Sequence, residues 1–363
     1  MRLGILTLSI IPENSITSYN LQEVGLARAL SPFCDDIQVW RPTDGASQSR
    51  IDVTENIKIY FFHSAHLGSN GLIDLTLLDN RIDTLICFSD LQISFGKVYR
   101  WAKKNNIRVF PYIGTLSSRS NSIIVKTLMD GVSLINQLMY RNMVCFAKND
   151  AVMEKLQAQN RKKVYLVTPG ISVCAPEINP SLEKIKKDFG ISGDEKIILF
   201  VGRLEKEKGA YEMVEIFHKL LKKNDSYRLL MIGRGSLESK IYDYIQDNQL
   251  GDKINMVPYV ENSEMWRAYL ICHCLVNLTK TEIVGMAILE AMFFGKIVIA
   301  ESAPGPCTII EDGISGYIAD NSQMIIDRII NGNLSSETIK KRILENFTLD
   351  KNAQKIYDII NKD

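Results

Sequence analysis

Clustered cysteines, long uncharged apolar runs and a strong net charge are all missing from this sequence of 363 residues. Each absence removes a class of protein. The seven cysteines are scattered, and only Cys272 and Cys274 come close together. That usage points to reduced thiols in a cytoplasmic protein, without a disulfide framework or a zinc site. No uncharged run is long enough to span a bilayer. The opening MRLGILTLSIIPENS has a short apolar part and no small-residue cleavage site, so it reads as a strand and not as a signal peptide. A formal net charge of +1 gives no global pull toward nucleic acid. No G-x-G-x-x-G turn follows a strand, which argues against an NAD-dependent oxidoreductase. No D-x-D pair is present, so a divalent metal clamp is not indicated.

What is present is an α/β rhythm. Short apolar runs such as LGILTLSII, IQVW, IKIYFF, TLICFS, IRVFPYI, MVCFA and KVYLVT alternate with helical stretches at residues 98–105 and 151–157. Asn20 and Glu23 stand at capping-box spacing ahead of a further helix. Runs of this kind predict parallel sheets covered by helices on both faces. The rhythm breaks at the proline-rich VTPGISVCAPEINP and restarts with KIILFVG. The expected fold is therefore two doubly wound, Rossmann-like α/β domains facing across a cleft. One spans residues 1–170 and the other 171–347. A terminal helix over 348–363 packs back toward the first. Residues 1–170 hold 19 Lys and Arg against 14 Asp and Glu, and the remainder 24 against 28. The basic half would suit an anionic surface or acceptor, although a solvated basic face is the plainer reading.

Three stretches carry candidate chemistry. In LFVGRLEKEKG, Arg203 and Lys208 lie on a loop at a strand's carboxyl end, where two cations suit a diphosphate. Pairing with Glu205 and Glu207 is the bland alternative. In MIGRGSLESK, Gly233 and Gly235 mark a strand-to-helix turn, which serves a phosphate or simply a tight bend. The third stretch, TKTEIVGMAILEAMFFGKIVIA, is nearly all apolar yet holds Glu282 and Glu290. A carboxylate beside Leu289 and Met292 is costly to bury. With a helix beginning near Gly285, Glu282 falls in the loop. The N–H groups of Val284, Gly285, Met286 and Ala287 then form a ready anion site. Eight residues advance about 12 Å along a helix and turn about 80° beyond two full turns, so Glu290 shares a side of the site with Glu282.

These residues resemble the retaining GT-B glycosyltransferases of the group-one, family-four type. The resemblance rests on VGRLEKEKG, on EIVGMAILEAMFFGKIVIA with its E-x7-E spacing, and on IIEDGISGYI, and is strongest over residues 195–320. It implies transfer of a sugar from a nucleotide-diphosphate sugar, most simply a UDP-sugar, to a hydroxyl acceptor. No further cofactor and no metal are implied. Arg203 and Lys208 would stabilise the departing diphosphate. Glu282 would meet the sugar hydroxyls and Glu290 the ribose, met by the donor alone and not sealed in the core. Backbone groups at Val284, Gly285, Met286, Ala287 and Gly233 would meet sugar and phosphate, and Tyr259 would lie by the base. A glycan or lipid-linked glycan acceptor in cell-envelope or exported polysaccharide synthesis is the implied partner, with nucleic acid excluded.

The first half departs from the family pattern. The loop after the first strand, SIIPENSITSYN, has no glycine. Tyr112 stands where the family often has histidine, and Thr308 where glutamate is common. Acceptor-side contacts are expected from Ser15 and Tyr112. A catalytically silent nucleotide-sugar-binding subunit and a sugar-nucleotide epimerase on the same fold remain as alternatives. Residues 122–139, SIIVKTLMDGVSLINQLM, read as an amphipathic helix with Ile124, Leu128, Ile135 and Leu138 on one stripe. Core packing is its expected use. Arg100, Lys103, Lys104, Arg119 and Lys126 also allow peripheral docking on the cytoplasmic face of a membrane.

Overall fold

Continuous β-branched and apolar runs build the sheets, as parallel strands buried on both faces require. The computed structural model describes residues 1–10, 22–45, 48–118, 120, 122–159, 161, 163–172 and 181–363. The chain forms two compact units, Met1–Ser172 with Leu349–Asp363, and Val173–Thr348. Among the described residues no helix is long and apolar enough to cross a membrane.

In the first unit the strands are β1 (Arg2–Thr7), β2 (Asp36–Thr43), β3 (Ser49–Thr54), β4 (Ile57–His63), a small hairpin of β5 (His66–Leu67) and β6 (Asn70–Gly71), β7 (Thr84–Phe88), β8 (Arg108–Ile113), β9 (Cys145–Ala147) and β10 (Val164–Leu166). The helices are α1 (Gln22–Leu30), α2 (Phe95–Lys104), α3 (Ile123–Tyr140) and α4 (Asp150–Gln157). The main sheet runs β10-β9-β8-β7-β1-β2-β4-β3, parallel except that β3 runs antiparallel to β4. Strand β3 escapes a reading of the sequence because SRIDVT is an exposed edge with no apolar run. Ser15 and Asn20, and with them the expected capping box, lie outside the described residues.

The second unit contains α5 (Leu182–Asp188), β11 (Lys196–Val201), α6 (Ala210–Leu221), β12 (Tyr227–Ile232), α7 (Glu238–Asp247), β13 (Ile254–Val257), α8 (Met265–Ile271), β14 (Cys274–Asn277), α9 (Met286–Phe293), β15 (Ile297–Ala300), α10 (Pro304–Ile309), β16 (Tyr317–Ile318), α11 (Ser322–Asn331) and α12 (Ser336–Asn346). Its six strands are parallel in the order β13-β12-β11-β14-β15-β16. The chain steps outward one way from β11, then returns to β14 and steps outward the other way. The order therefore reverses between β11 and β14, which is where doubly wound sheets leave a crevice at their carboxyl edge.

The last helix, α13 (Leu349–Lys362), belongs to the first unit. Its Ala353, Ile356 and Ile360 repeat at helical spacing and are fully buried with Val24, Ala27 and Leu30 of α1 in one cluster. Tyr357 stacks on Phe33 at 4.6 Å between ring centroids. Arg108 on β8 donates to the Ile360 carbonyl at 2.7 Å. Helix α13 thus completes the core beneath β1 and β2. Truncating Ile356 to alanine is expected to cost about 2–5 kcal/mol. Amide exchange should then quicken in β1, β2 and β8 and stay unchanged in β11–β15. Unchanged protection in the first unit would contradict this docking.

Candidate functional site

The loops that follow β11 and β14 leave the sheet side by side at the point of reversal. Lys208 comes from the first and Glu282 from the second, and Lys208 Nζ donates to Glu282 Oε2 at 3.0 Å. Both side chains are about four-fifths buried, so this is a half-desolvated ion pair and not a surface contact. Arg203, on the same loop as Lys208, is mostly exposed and pairs with Glu207 one turn on. Glu205 turns the other way and accepts from the Ser236 N–H at 2.9 Å and the Ser236 hydroxyl at 2.6 Å. That pairing holds its carboxyl below the usual range.

Close backbone contacts fix these loops. Gly209 ends the Lys208 turn at φ 68° and caps α6, and a Cβ there would sit 2.5 Å from Leu278 Cβ. The two loops therefore meet directly beneath the ion pair. Gly233 lies against the carbonyl of Gly202, where a Cβ would fall only 1.9 Å away. Its N–H donates to the Val257 carbonyl at 2.9 Å. The Gly233 N–H is thus engaged within the fold, and its smallness serves loop packing. Gly235 packs on Leu204 in the same way.

The loop of Glu282 is held from the far side. The Gly305 N–H donates to the Glu282 carbonyl at 2.9 Å, and a Cβ on Gly305 would lie 2.4 Å from the Val284 carbonyl oxygen. Gly305 and Pro304 went unnoticed in the sequence, although a Pro-Gly-Pro turn after a strand is the signal that would have found them. Gly285 takes φ 92° as the N-cap of α9. The first intrahelical bond runs from the Ile288 N–H to the Gly285 carbonyl. Helix geometry leaves the N–H groups of Met286 and Ala287 without an acceptor inside the helix, and Gly285 at its start lies against the Glu282 side chain. Val284 is buried, and its side chain packs inward.

Glu290 sits one turn further along α9 and is half-buried. Tyr269 on α8 donates its hydroxyl to Glu290 Oε2 at 2.6 Å. The expectation that only a donor would partner this carboxyl is corrected: a buried tyrosine already does. Burial pushes the Glu290 carboxyl up to about 8. Tyr259 follows β13, stays 57% exposed and donates to Glu261 at 3.0 Å. A further carboxylate, Glu301, directly follows β15 and is sealed, with Lys280 at 3.5 Å from Oε1. Its pKa is raised by the same desolvation.

In the first unit, Tyr112 is the last residue but one of β8, is only 3% exposed, and its hydroxyl donates to the Val167 carbonyl at 2.7 Å. The expected acceptor-side role is corrected on that ground. The ring packs edge-on against Phe88 at 5.0 Å, and the Lys148 ammonium lies 5.2 Å from its centre. The polar groups at these strand ends are instead Lys148 and Asp90, 3.4 Å apart.

The raised pKa of Glu290 makes a stability prediction with a definite sign. Between about pH 5 and 8 the folded chain keeps a proton that the unfolded chain has released. Stability is therefore full below that window and falls as pH rises toward the folded value. Glu290→Gln should remove this slope, gaining more than about 1 kcal/mol on the parent between pH 5 and 8 in urea unfolding. Parallel pH profiles would contradict the buried, protonated carboxyl.

Comparison with known proteins fits the same segment. The model described as glycosyl transferases group 1 matches residues 181–346. Alpha-monoglucosyldiacylglycerol synthase of Acholeplasma laidlawii is 26% identical over 174 residues, 48% of this chain and 42% of that protein. The chain spans about half the length of the curated relatives it matches. Sucrose-phosphate synthase from Thermosynechococcus elongatus shares the fold over 100% of this chain and 99% of its own, with a TM-score of 0.77 at 14% identity. Anabaena HepE in complex with UDP does so over 100% of both chains, with a TM-score of 0.74 at 14% identity. Residues 181–346 are therefore similar to the group 1 glycosyltransferases, and the whole chain has the GT-B fold of these solved structures.

Proposed function

We propose that the chain transfers a glycosyl group from a nucleotide-diphosphate sugar, a UDP-sugar, to a hydroxyl acceptor, with retention at the anomeric carbon and without a divalent metal. The observation that carries this reading is the Lys208–Glu282 pair at the reversal point of the second sheet. HepE was solved with UDP, which supports the choice of nucleotide. The name of the Acholeplasma relative, a diacylglycerol glycoside synthase, supports a lipid or lipid-linked glycan as acceptor. Cell-envelope or exported polysaccharide synthesis, on the cytoplasmic side and in contact with the membrane, is the setting that follows.

Cleavage of the sugar–diphosphate bond leaves positive charge on the anomeric carbon and negative charge on the leaving oxygen. Lys208 meets that negative charge from a half-buried position, where an ammonium acts more strongly than in water. Arg203 is exposed and free to leave the Glu207 side chain for a phosphate oxygen. The N–H groups of Met286 and Ala287 add the positive end of α9. Glu282 holds the Lys208 ammonium in place. When the diphosphate takes over that ammonium, the Glu282 carboxylate turns to the sugar hydroxyls. Glu290, already held by Tyr269, would exchange that bond for the ribose hydroxyls. The acceptor oxygen attacks on the face the diphosphate is leaving, and the acceptor proton passes to the departing phosphate oxygen.

A panel of UDP-sugars tests this reading by donor turnover with the anomer of the product read by NMR. One donor should turn over with retention in the presence of a chelator. Lys208→Ala and Glu282→Ala should each lower turnover by about 100-fold or more. Tight UDP binding with no turnover on any acceptor would favour a silent subunit, free epimerised nucleotide sugar an epimerase, and an inverted product would sink the retaining assignment.

A further inference from the structure

Helix α3 is built inside out. Its buried positions are Ser133, Asn136, Gln137 and Tyr140. They are polar; Gln137 donates to the Ser133 hydroxyl one turn back, and the other three are bonded inward. Ser133 donates to the Leu116 carbonyl at 2.7 Å, Asn136 to the Gln92 carbonyl at 2.9 Å, and Tyr140 to the Ser89 carbonyl at 3.1 Å. The opposite face carries Ile124, Leu128, Ile135 and Leu138, which are 82%, 57%, 60% and 67% exposed. Ile123 and Leu134 extend the same exposed face. At 100° per residue the apolar stripe lies about half a turn from the polar one, and no charged residue falls within it. The expected core packing of this stripe is therefore overturned, because the core takes the polar side of the helix.

An apolar face this continuous marks a partner. Its surroundings define the chemistry. Helix α2 packs beside α3, with Gly96 close to Met139. The two helices and the cap residue Arg141 carry Lys97, Arg100, Lys103, Lys104, Lys126 and Arg141 against one acid, Asp130. Asp130 is itself engaged by Lys126 and the Ser118 N–H. Arg100, Lys103, Lys104 and Arg141 are exposed. The stripe is aliphatic, without the Tyr, Trp or Arg that anchor protein interfaces. A second copy docking through the same face would bring the two cationic clusters together, since a two-fold contact pairs like with like. An anionic bilayer neutralises them and takes up the aliphatic side chains.

We infer that α3 lies in the interface of an anionic membrane, its apolar stripe among the acyl chains and the α2–α3 cations on the headgroups. The helix starts beyond the carboxyl end of β8, so this face borders the edge of its sheet where doubly wound units take ligands. The inference gives a surface to the membrane contact in the reading above. It needs nothing from the donor site, so the two readings fail separately.

Vesicle flotation of the full chain tests it, with vesicles of phosphatidylglycerol and phosphatidylcholine in equal parts and of phosphatidylcholine alone. The parent chain should float with the anionic vesicles. The double variant Leu128→Glu/Ile135→Glu, at exposed positions that leave the fold intact, should partition at least 30-fold more weakly. Lys103→Ala/Lys104→Ala should weaken binding to the anionic vesicles by about 10-fold and leave the neutral ones unaffected. UDP-sugar turnover on a water-soluble acceptor should be unchanged in both variants. Absence of flotation with anionic vesicles overturns the inference, as does equal flotation of the Leu128→Glu/Ile135→Glu variant. So does a dimer in light scattering that this variant dissociates while flotation is absent.

Discussion

The proposed chemistry of the second unit turns on one ion pair, about four-fifths buried. Lys208 and Glu282 are 74 residues apart, yet they meet because β11 and β14 are neighbours at the reversal of a parallel sheet. Desolvating two charges costs more than an isolated contact returns, so such a pair is poor as a simple stabiliser. It makes physical sense as a poised arrangement. The carboxylate keeps an ammonium ordered in a place of low dielectric, and under the proposed function an incoming diphosphate would find that cation already oriented.

Much of the surrounding architecture serves to hold the two loops at this distance. Gly209 lets the Lys208 turn close onto Leu278, and Gly305 lets the next strand's loop press on the backbone of Val284. Gly233 and Gly235 allow the β12 turn to interlock with residues 202–204. These glycines have a packing reason, and the site's polar groups inherit their geometry from it. Placing the chemistry on loops while the backbone contacts stay rigid is the usual division of labour in doubly wound sheets.

The alternation of strands and helices was legible in the sequence, because buried parallel strands and amphipathic helices leave distinct periods. So was the segment where cations, glycines and two carboxylates stand close along the chain, from which Lys208 and Glu282 come together. What escaped were relations between distant residues. Tyr269 reaches Glu290 from another helix, and no local pattern signals that bond. Tyr112 points into the core, where it packs on Phe88 and Phe146, which a strand pattern cannot reveal near the end of a strand. The spacing of Ile124, Leu128, Ile135 and Leu138 marks α3 as amphipathic, but periodicity gives the stripe and not the side that faces inward. The polar inner face became visible only once Gln92, Leu116 and Ser89 were seen to receive its hydrogen bonds.

The account gives Lys208 and Glu282 opposite relations to a nucleotide diphosphate without its sugar. Calorimetric titration of UDP into the parent, Lys208→Ala and Glu282→Gln chains separates them most directly. Lys208→Ala should bind UDP at least 10-fold more weakly, through loss of a charge-assisted contact. Glu282→Gln should bind it as tightly as the parent or more so, because the carboxylate no longer competes for the ammonium. Equal weakening by both substitutions would contradict the exchange of partners at the heart of the site.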